Sequence, residues 1–303
     1  MQITDTHLHL SDLPHKDKND FSFIDDVFSE DGVDKYLFCT SSHSINDYNM
    51  TCQLIDKIYS KYDISKIKIC HSFGVHPQNP DKNLLSYLES ILESEKYDIK
   101  PDIKYDNNSI KYDILQNKYD KNMTSLLKYD IKYDKISAIG ECGFDLFTSE
   151  FKSTLDKQKE VWNYQLELAI KYDKPIIVHC RKGMCHIFES VEKLKKIKAV
   201  VFHSFSGSMV EAQSILKKGI NGFFSFGKPI LNGNKNAIQC VKSLLLENIL
   251  LETDSPYQTL KGEEVTNPSD VLKVYKEVFN LRQEDTEVIV SKVYDNYSEK
   301  IFV

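Results

Sequence analysis

No stretch of this chain approaches the 18 or more consecutive apolar residues that a membrane span needs, and mean hydropathy is −0.41. A soluble chain with no membrane partner is therefore expected. A basic excess is also missing, since 39 Lys plus Arg stand against 45 Asp plus Glu, a formal charge of −6. That excludes a protein that holds nucleic acid by global electrostatics. It does not exclude a nucleic-acid substrate, because bound divalent cations reverse the local field of an active site. There is no Cys-x-x-Cys pair, and the seven cysteines are odd in number, several of them inside apolar runs. A secreted disulfide framework fits poorly and a reducing compartment fits better. The opening residues Met1-Gln2-Ile3-Thr4-Asp5 lack a basic flank followed by an apolar stretch. No signal peptide is expected, and the expected location is cytoplasmic.

What is present suffices for a full core. Hydrophobic residues make up 41% and aromatics 11% of 303 residues, which excludes a disordered or collagen-like chain. Eight short apolar runs, at 3–10, 35–41, 67–75, 136–144, 175–180, 199–205, 222–226 and 248–252, are rich in Ile, Val, Phe and Leu. Bounded by Gly, Pro, Ser or Asp, they read as buried parallel strands. Helices are expected over 184–195 and 210–218. Another precedes the fifth strand, with Val161, Trp162, Leu168, Ala169 and Tyr172 on one face and Pro175 as its stop. Strands alternating with helices predict an α/β protein, a single (β/α)8 TIM barrel over 1–303. The competitor, an open doubly wound sheet, lacks its usual glycine-rich turn after the first strand.

One segment breaks the alternation. Across 93–135 the tripeptide Lys-Tyr-Asp returns at irregular spacing, beginning at Lys96, Lys104, Lys111, Lys118, Lys128 and Lys132. Irregular spacing excludes a solenoid unit, and nearly balanced charge argues against a DNA-binding arm. A low-complexity surface insert, partly flexible and without chemistry, is expected.

The chemistry gathers where runs end. In Asp5-Thr6-His7-Leu8-His9, residues two apart on a strand face the same way, so His7 and His9 project together and can share a divalent metal. Alone, the pair reads equally as hydrogen-bonded surface histidines. Glu141 closes the fourth run, His179 the fifth and His203 the sixth, and Asp254 follows the eighth. In a barrel these strand ends converge on one rim, so four imidazoles and two carboxylates surround one cavity. Unpaired burial of so many ionisable groups is costly, and a metal offsets it. Mixed imidazole and carboxylate donors suit Zn, Mn, Co or Fe better than a Ca cage, and six donors exceed what one catalytic Zn uses, which points to two ions.

The segments Asp5-Thr6-His7-Leu8-His9, Gly74-Val75-His76-Pro77, Gly140-Glu141-Cys142-Gly143-Phe144-Asp145, His179-Cys180-Arg181, His203-Ser204-Phe205-Ser206-Gly207 and Thr253-Asp254-Ser255-Pro256-Tyr257 appear in this order. Together they resemble the TatD family of metal-dependent deoxyribonucleases, within the amidohydrolase-like TIM-barrel superfamily. The resemblance runs from the first strand to about residue 276, interrupted by the insert. It implies that His7, His9 and Asp254 hold one metal, His179 and His203 the other, and that Glu141 bridges them. The ions it implies are Mg, Mn or Zn. His76 matches a family histidine that faces the substrate phosphate, and a structural turn residue before Pro77 is its other reading. Arg181 is placed either to grip a phosphate bidentately or to pair with a neighbouring carboxylate. Asp145 is expected to orient a ligand. The family's Arg-Asn-x-Pro stretch reads Val265-Thr266-Asn267-Pro268 here, and the missing Arg removes a contact expected to fix the last loop or the substrate.

The implied function is divalent-metal-dependent hydrolysis of DNA phosphodiester bonds, with single-stranded ends trimmed in a barrel-mouth cleft and Asp254 accepting the water proton. DNA is the expected partner, with no obligatory protein partner visible. A metal-dependent deacylase or amidohydrolase, acting on an aminoacyl-tRNA ester or a cyclic amide, is the alternative on the same scaffold. A non-catalytic binding module is a third reading, weakened by the presence of every expected ligand. His15, His43, His71 and His186 are read as surface or packing residues, and Cys142, Cys180 and Trp162 as core.

Overall fold

The computed structural model describes residues 1–14, 20–97 and 136–302. Eight strands follow in sequence order around one sheet: β1 (Gln2–Leu8), β2 (Lys35–Ser42), β3 (Ile67–Phe73), β4 (Ala138–Asp145), β5 (Ile176–Arg181), β6 (Val200–Phe202), β7 (Gly222–Phe226) and β8 (Ile249–Leu251). Every neighbouring pair is parallel. The sheet meets itself through a parallel bridge between Leu8 and Ser255. There the His9 amide donates to the Ser255 carbonyl at 2.7 Å and the Asp254 amide to the His7 carbonyl at 2.8 Å. The result is a nearly closed (β/α)8 barrel, as the eight runs predict.

Alternation along each strand splits the apolar residues into two layers. Leu37, Cys39, Ala138, Ile177, Val201 and Leu250 fill the barrel interior, with Tyr297 and Phe302 from the C-terminal segment packed against them. Tyr36, Phe38, Ile176, Val178, Phe202 and Leu251 face outward into the larger core beneath the helices. This parity aims the site: His179 lies two residues beyond Ile177 and His203 two beyond Val201, so both continue the interior-facing row.

Glu141 reaches the same interior by another route. Gly140 pairs with Ile177 and Cys142 with Val178, so the register skips Glu141. An extra residue of this kind bends the strand and re-aims a side chain. Gly140 has φ +151°, and a Cβ there would sit 2.6 Å from the Ile177 carbonyl oxygen. At Gly143, φ +133°, a Cβ would sit 2.2 Å from the His179 carbonyl oxygen. Glycine at both positions is what lets β4 and β5 approach around Glu141.

The helix over Leu155–Lys171 buries Val161, Trp162, Leu168 and Ala169 as expected, with Tyr172 half-buried at its C-cap. The expected helix at 210–218 is found at Met209–Lys217, closed by a Ser208–Glu211 capping box. The expected helix at 184–195 is corrected to two, Met184–Glu189 and Val191–Leu194. They part at Ser190, whose hydroxyl accepts from Trp162 Nε1 at 2.9 Å while its backbone leaves the helical region. Residues 93–97 complete the Asn83–Tyr97 helix, and the rest of the expected insert, 98–135, lies outside the described residues, as does His15. Among the described residues, no helix is long and apolar enough to cross a membrane.

Candidate metal centre

The ends of β1, β4, β5, β6 and β8 bring His7, His9, Glu141, His179, His203 and Asp254 together, all buried. Glu141 sits at the middle. Its Oε1 is 3.2 Å from both His7 Nε2 and His9 Nε2, and its Oε2 is 2.9 Å from His203 Nε2 and 3.4 Å from His179 Nδ1. Asp254 Oδ1 lies 3.5 Å from His7 Nε2 and from His9 Nε2. His7, His9 and Asp254 form one group able to hold an ion. Glu141 belongs to three others, with His7 and His203, with His9 and His43, and with His76 and His179.

The residues around this set fix which ring nitrogen faces inward. His179 Nε2 lies 3.1 Å from Asp145 Oδ2, which leaves Nδ1 turned toward Glu141. The Asp145 carboxylate also accepts from Gln78 Nε2 at 2.8 Å and from the Phe147 amide at 2.9 Å. Ser41 Oγ meets His7 Nδ1 at 3.2 Å, leaving Nε2 inward. Gln258 Nε2 donates to Asp254 Oδ2 at 2.6 Å and to Ser204 Oγ at 2.5 Å. Outer partners of this kind set ligand tautomer and orientation.

Burial and charge pull these groups in opposite directions. Burial pulls the His7 imidazole down to about 4, with the Glu141 carboxylate opposing. Burial also disfavours charge on His9 and His179. Asp254 and Glu141 nevertheless hold His9 well above its ordinary value, and Asp145 and Glu141 raise His179 to about 9. Burial pushes the Glu141 carboxyl up, but the imidazoles of His7, His203 and His179 outweigh it and hold it well below its usual range. Carboxylates kept ionised beside converging imidazoles are the donor set a borderline divalent cation takes. His7 Nε2 decides the fit: fully buried, it has no partner in hydrogen-bonding geometry although two carboxylate oxygens lie within 3.5 Å. A cation among these atoms would supply what a hydrogen bond does not.

His76, on the loop after β3, enters the same cavity with Nε2 3.5 Å from Glu141 Oε2. Its Nδ1 accepts from the Gln78 amide at 3.2 Å, and burial, aided by His179, lowers it to about 4. The neutral ring thus carries its proton on Nε2. Arg181 is half-exposed at the rim, its guanidinium 4.1 Å over the Phe147 ring and Nη1 3.6 Å from Asp145 Oδ2. It pairs with the carboxylate and also lines the cavity of about 810 Å³ that opens above Glu141. The last loop is fixed without the expected Arg. Lys228, almost wholly buried, places Nζ 2.5 Å from Glu263 and 2.6 Å from Asp270, and Asp270 closes a capping box with Asn267.

Two placements differ from the reading of the sequence. His43 lines the cavity rather than sitting apart as a surface or packing residue, its ring centroid 5.6 Å from His9 and 5.9 Å from His76. It follows the second run by two residues, at a strand end as His179 and His203 are, so its signal was in the sequence. Cys180 is half-buried at the cavity wall rather than fully core, whereas Cys142 is fully buried. Gln78, Lys228 and Gln258 were not singled out at all, and the first and last lie within four residues of a motif residue. His71 is a packing residue as read, stacked 4.8 Å from Tyr48 with Nε2 2.8 Å from Ser42 Oγ. His186 pairs with Glu189 at 2.9 Å, away from the centre.

A family model for TatD related DNases matches residues 4–302. The chain belongs to the TatD family. A Vairimorpha ceranae protein named "Putative deoxyribonuclease TATDN1 homolog" is 30% identical over 69% of this chain and 72% of its own. An uncharacterised metal-dependent hydrolase of Methanocaldococcus jannaschii is 28% identical over 81% of this chain and 92% of its own. The crystal structure of the TatD homologue YjjV from Escherichia coli shares the fold with a TM-score of 0.72, at 20% identity over 99% of this chain and 98% of that one. As a TatD-family member, the protein is a metal-dependent hydrolase whose described residues include His, Glu and Asp clusters suited to divalent cations.

Proposed function

We propose that the protein hydrolyses DNA phosphodiester bonds, trimming single-stranded ends, with two divalent cations drawn from Mg, Mn or Zn. The observation that carries this reading is the division of Glu141. One oxygen faces the β1 histidines and the other faces His179 and His203. His7, His9 and Asp254 would hold one ion, His179 and His203 the other, with Glu141 between them. Bound there, the cations would supply positive charge to the phosphate oxygens and would acidify water.

The chain's own groups do the rest. Burial favours the neutral form of Asp254, but the His9 hydrogen bond and the neighbouring imidazoles outweigh it and hold the carboxyl below its ordinary value. It accepts a proton from the water whose oxygen attacks phosphorus. The bond from phosphorus to the departing sugar oxygen breaks, and that oxygen takes its proton from solvent. His76 donates Nε2–H to a non-bridging oxygen, the role its Gln78 contact supports. Arg181, held against Phe147 and Asp145, meets the next phosphate. A cavity of about 810 Å³ suits a strand end better than a stacked duplex. With few Lys and Arg engaging the backbone, binding is weak and salt-sensitive.

The test begins with metal content of the purified protein. Labelled single- and double-stranded DNA, an aminoacyl-tRNA ester and a cyclic amide are then offered with added metal or with chelator. DNA cleavage that stops on chelation and in Glu141→Ala supports the proposal. Intact DNA beside a cleaved ester or amide overturns it in favour of the deacylase or amidohydrolase reading.

A further inference from the structure

We infer that His43 is an additional nitrogen donor of the metal centre, acting with His9 and Glu141, and that Asp47 is its positioning residue. The inference rests on the two-cation reading above and adds a ligand that reading does not contain.

One donor atom each from His9, His43 and Glu141 lie within 4.8 Å of one another. Ligand bonds of roughly 2.0–2.2 Å to a shared cation require such atoms to stand about 4 Å apart or closer. Any separation beyond that is to be closed by turning the His43 ring, whose side chain is 37% exposed. The ring is otherwise prepared for the role. Asp47 Oδ2 accepts from the His43 backbone amide at 2.8 Å and lies 3.6 Å from Nδ1. That Nδ1 is buried and makes no hydrogen bond of its own. Asp47 is fixed in turn by the Ser11 hydroxyl, and its backbone amide donates to Ser44 Oγ at 3.1 Å. A carboxylate behind Nδ1 favours the proton there and leaves the Nε2 lone pair for a metal, the pattern of a ligating histidine.

His76, the neighbouring ring, shows the opposite logic. Its Nδ1 faces a backbone N–H, so the proton is favoured on Nε2, the nitrogen turned toward Glu141. Two adjacent histidines in one cavity thus divide into a donor to substrate and a donor to cation. A further imidazole raises the preference of the β1-side ion for Zn or Co over Mg, since imidazole suits the former and oxygen the latter.

The test uses full-length protein stripped of metal and titrated with Co(II) and Zn(II), comparing the parent with His43→Ala, Asp47→Asn and His76→Ala. The expected result is unchanged stoichiometry with one of two affinities weakened roughly 10- to 100-fold in His43→Ala and by less in Asp47→Asn. Added imidazole restores affinity and the Co(II) visible spectrum in His43→Ala, and His76→Ala binds metal as the parent does. Two ions bound equally well by parent and His43→Ala would overturn this inference alone. A parent that binds no ion would overturn the metal centre and this inference with it.

Discussion

Asp145→Asn is the sharpest probe of how the fold tunes the centre, because it changes one atom that no cation is proposed to touch. Two donors, His179 Nε2 at 3.1 Å and Gln78 Nε2 at 2.8 Å, converge on Oδ2, while the Phe147 amide takes Oδ1 at 2.9 Å. An amide side chain has one acceptor and one donor end, so whichever way the substituted group turns, an N–H faces another N–H. The lost charge-assisted bond is worth roughly 1.5–3 kcal/mol. Its effect on the centre is the loss of the carboxylate that fixes which nitrogen of His179 faces Glu141. Outer-partner losses of this type cost roughly 10- to 100-fold in metal affinity, or about 1.4–2.7 kcal/mol. Competition with a fluorescent chelator should read that drop, and turnover should recover as metal is raised to saturation. In the metal-free protein, NMR titration should find His179 below its parent value of about 9, because the Asp145 carboxylate is the largest of the influences raising it. Metal affinity and His179 titration both equal to the parent's would refute the orienting role.

Burial lowers His71 to about 3 in the folded protein against an ordinary 6.5. Between those values the unfolded chain binds a proton that the folded chain does not, so stability falls as pH falls. Urea unfolding at pH 7 and pH 5 should show His71→Gln losing about 2 kcal/mol less than the parent over that interval; equal losses would remove His71 as an acid-sensitive group. Lys228→Met strands Glu263 and Asp270 beside a buried thioether and should cost roughly 3 kcal/mol, the low end for a broken buried pair because Glu263 keeps contact with water. Glu263→Gln added to it should recover part of the loss, and a Lys228→Met protein as stable as its parent would show that the ion triad does not secure the last loop.

The barrel was legible because its information is local. A strand buried on both faces must be a short apolar run, and eight such runs leave little choice of architecture. His179 and His203 were legible for the same reason: each extends an interior row by two residues, so strand parity aims it without reference to anything distant. Glu141 was legible only through its motif. Counted from Ile139, which faces the outer core, simple alternation turns residue 141 outward, and the inward aim depends on the skipped register against β5. That register is a property of two strands whose pairing residues lie about 35 positions apart. The split at Ser190 is of the same kind, since the hydroxyl that interrupts the helix is claimed by Trp162 on another element.

His43 is a different failure. Its position after the second run carried the signal that singled out its partners, and what set it aside was the absence of any family motif around it. Lys228 carried no such signal, because a lysine after a strand reads as solvent-facing until its two carboxylate partners, 35 and 42 residues onward, fold back over it. The difference is physical. A residue aimed by its own strand can be placed from spacing alone, whereas one held by charges from a later loop can be placed only once that loop's path is known. This explains why the sequence exposed the donors at the strand ends while the groups that fix their protons and close the rim, Asp145 aside, emerged only from the folded chain.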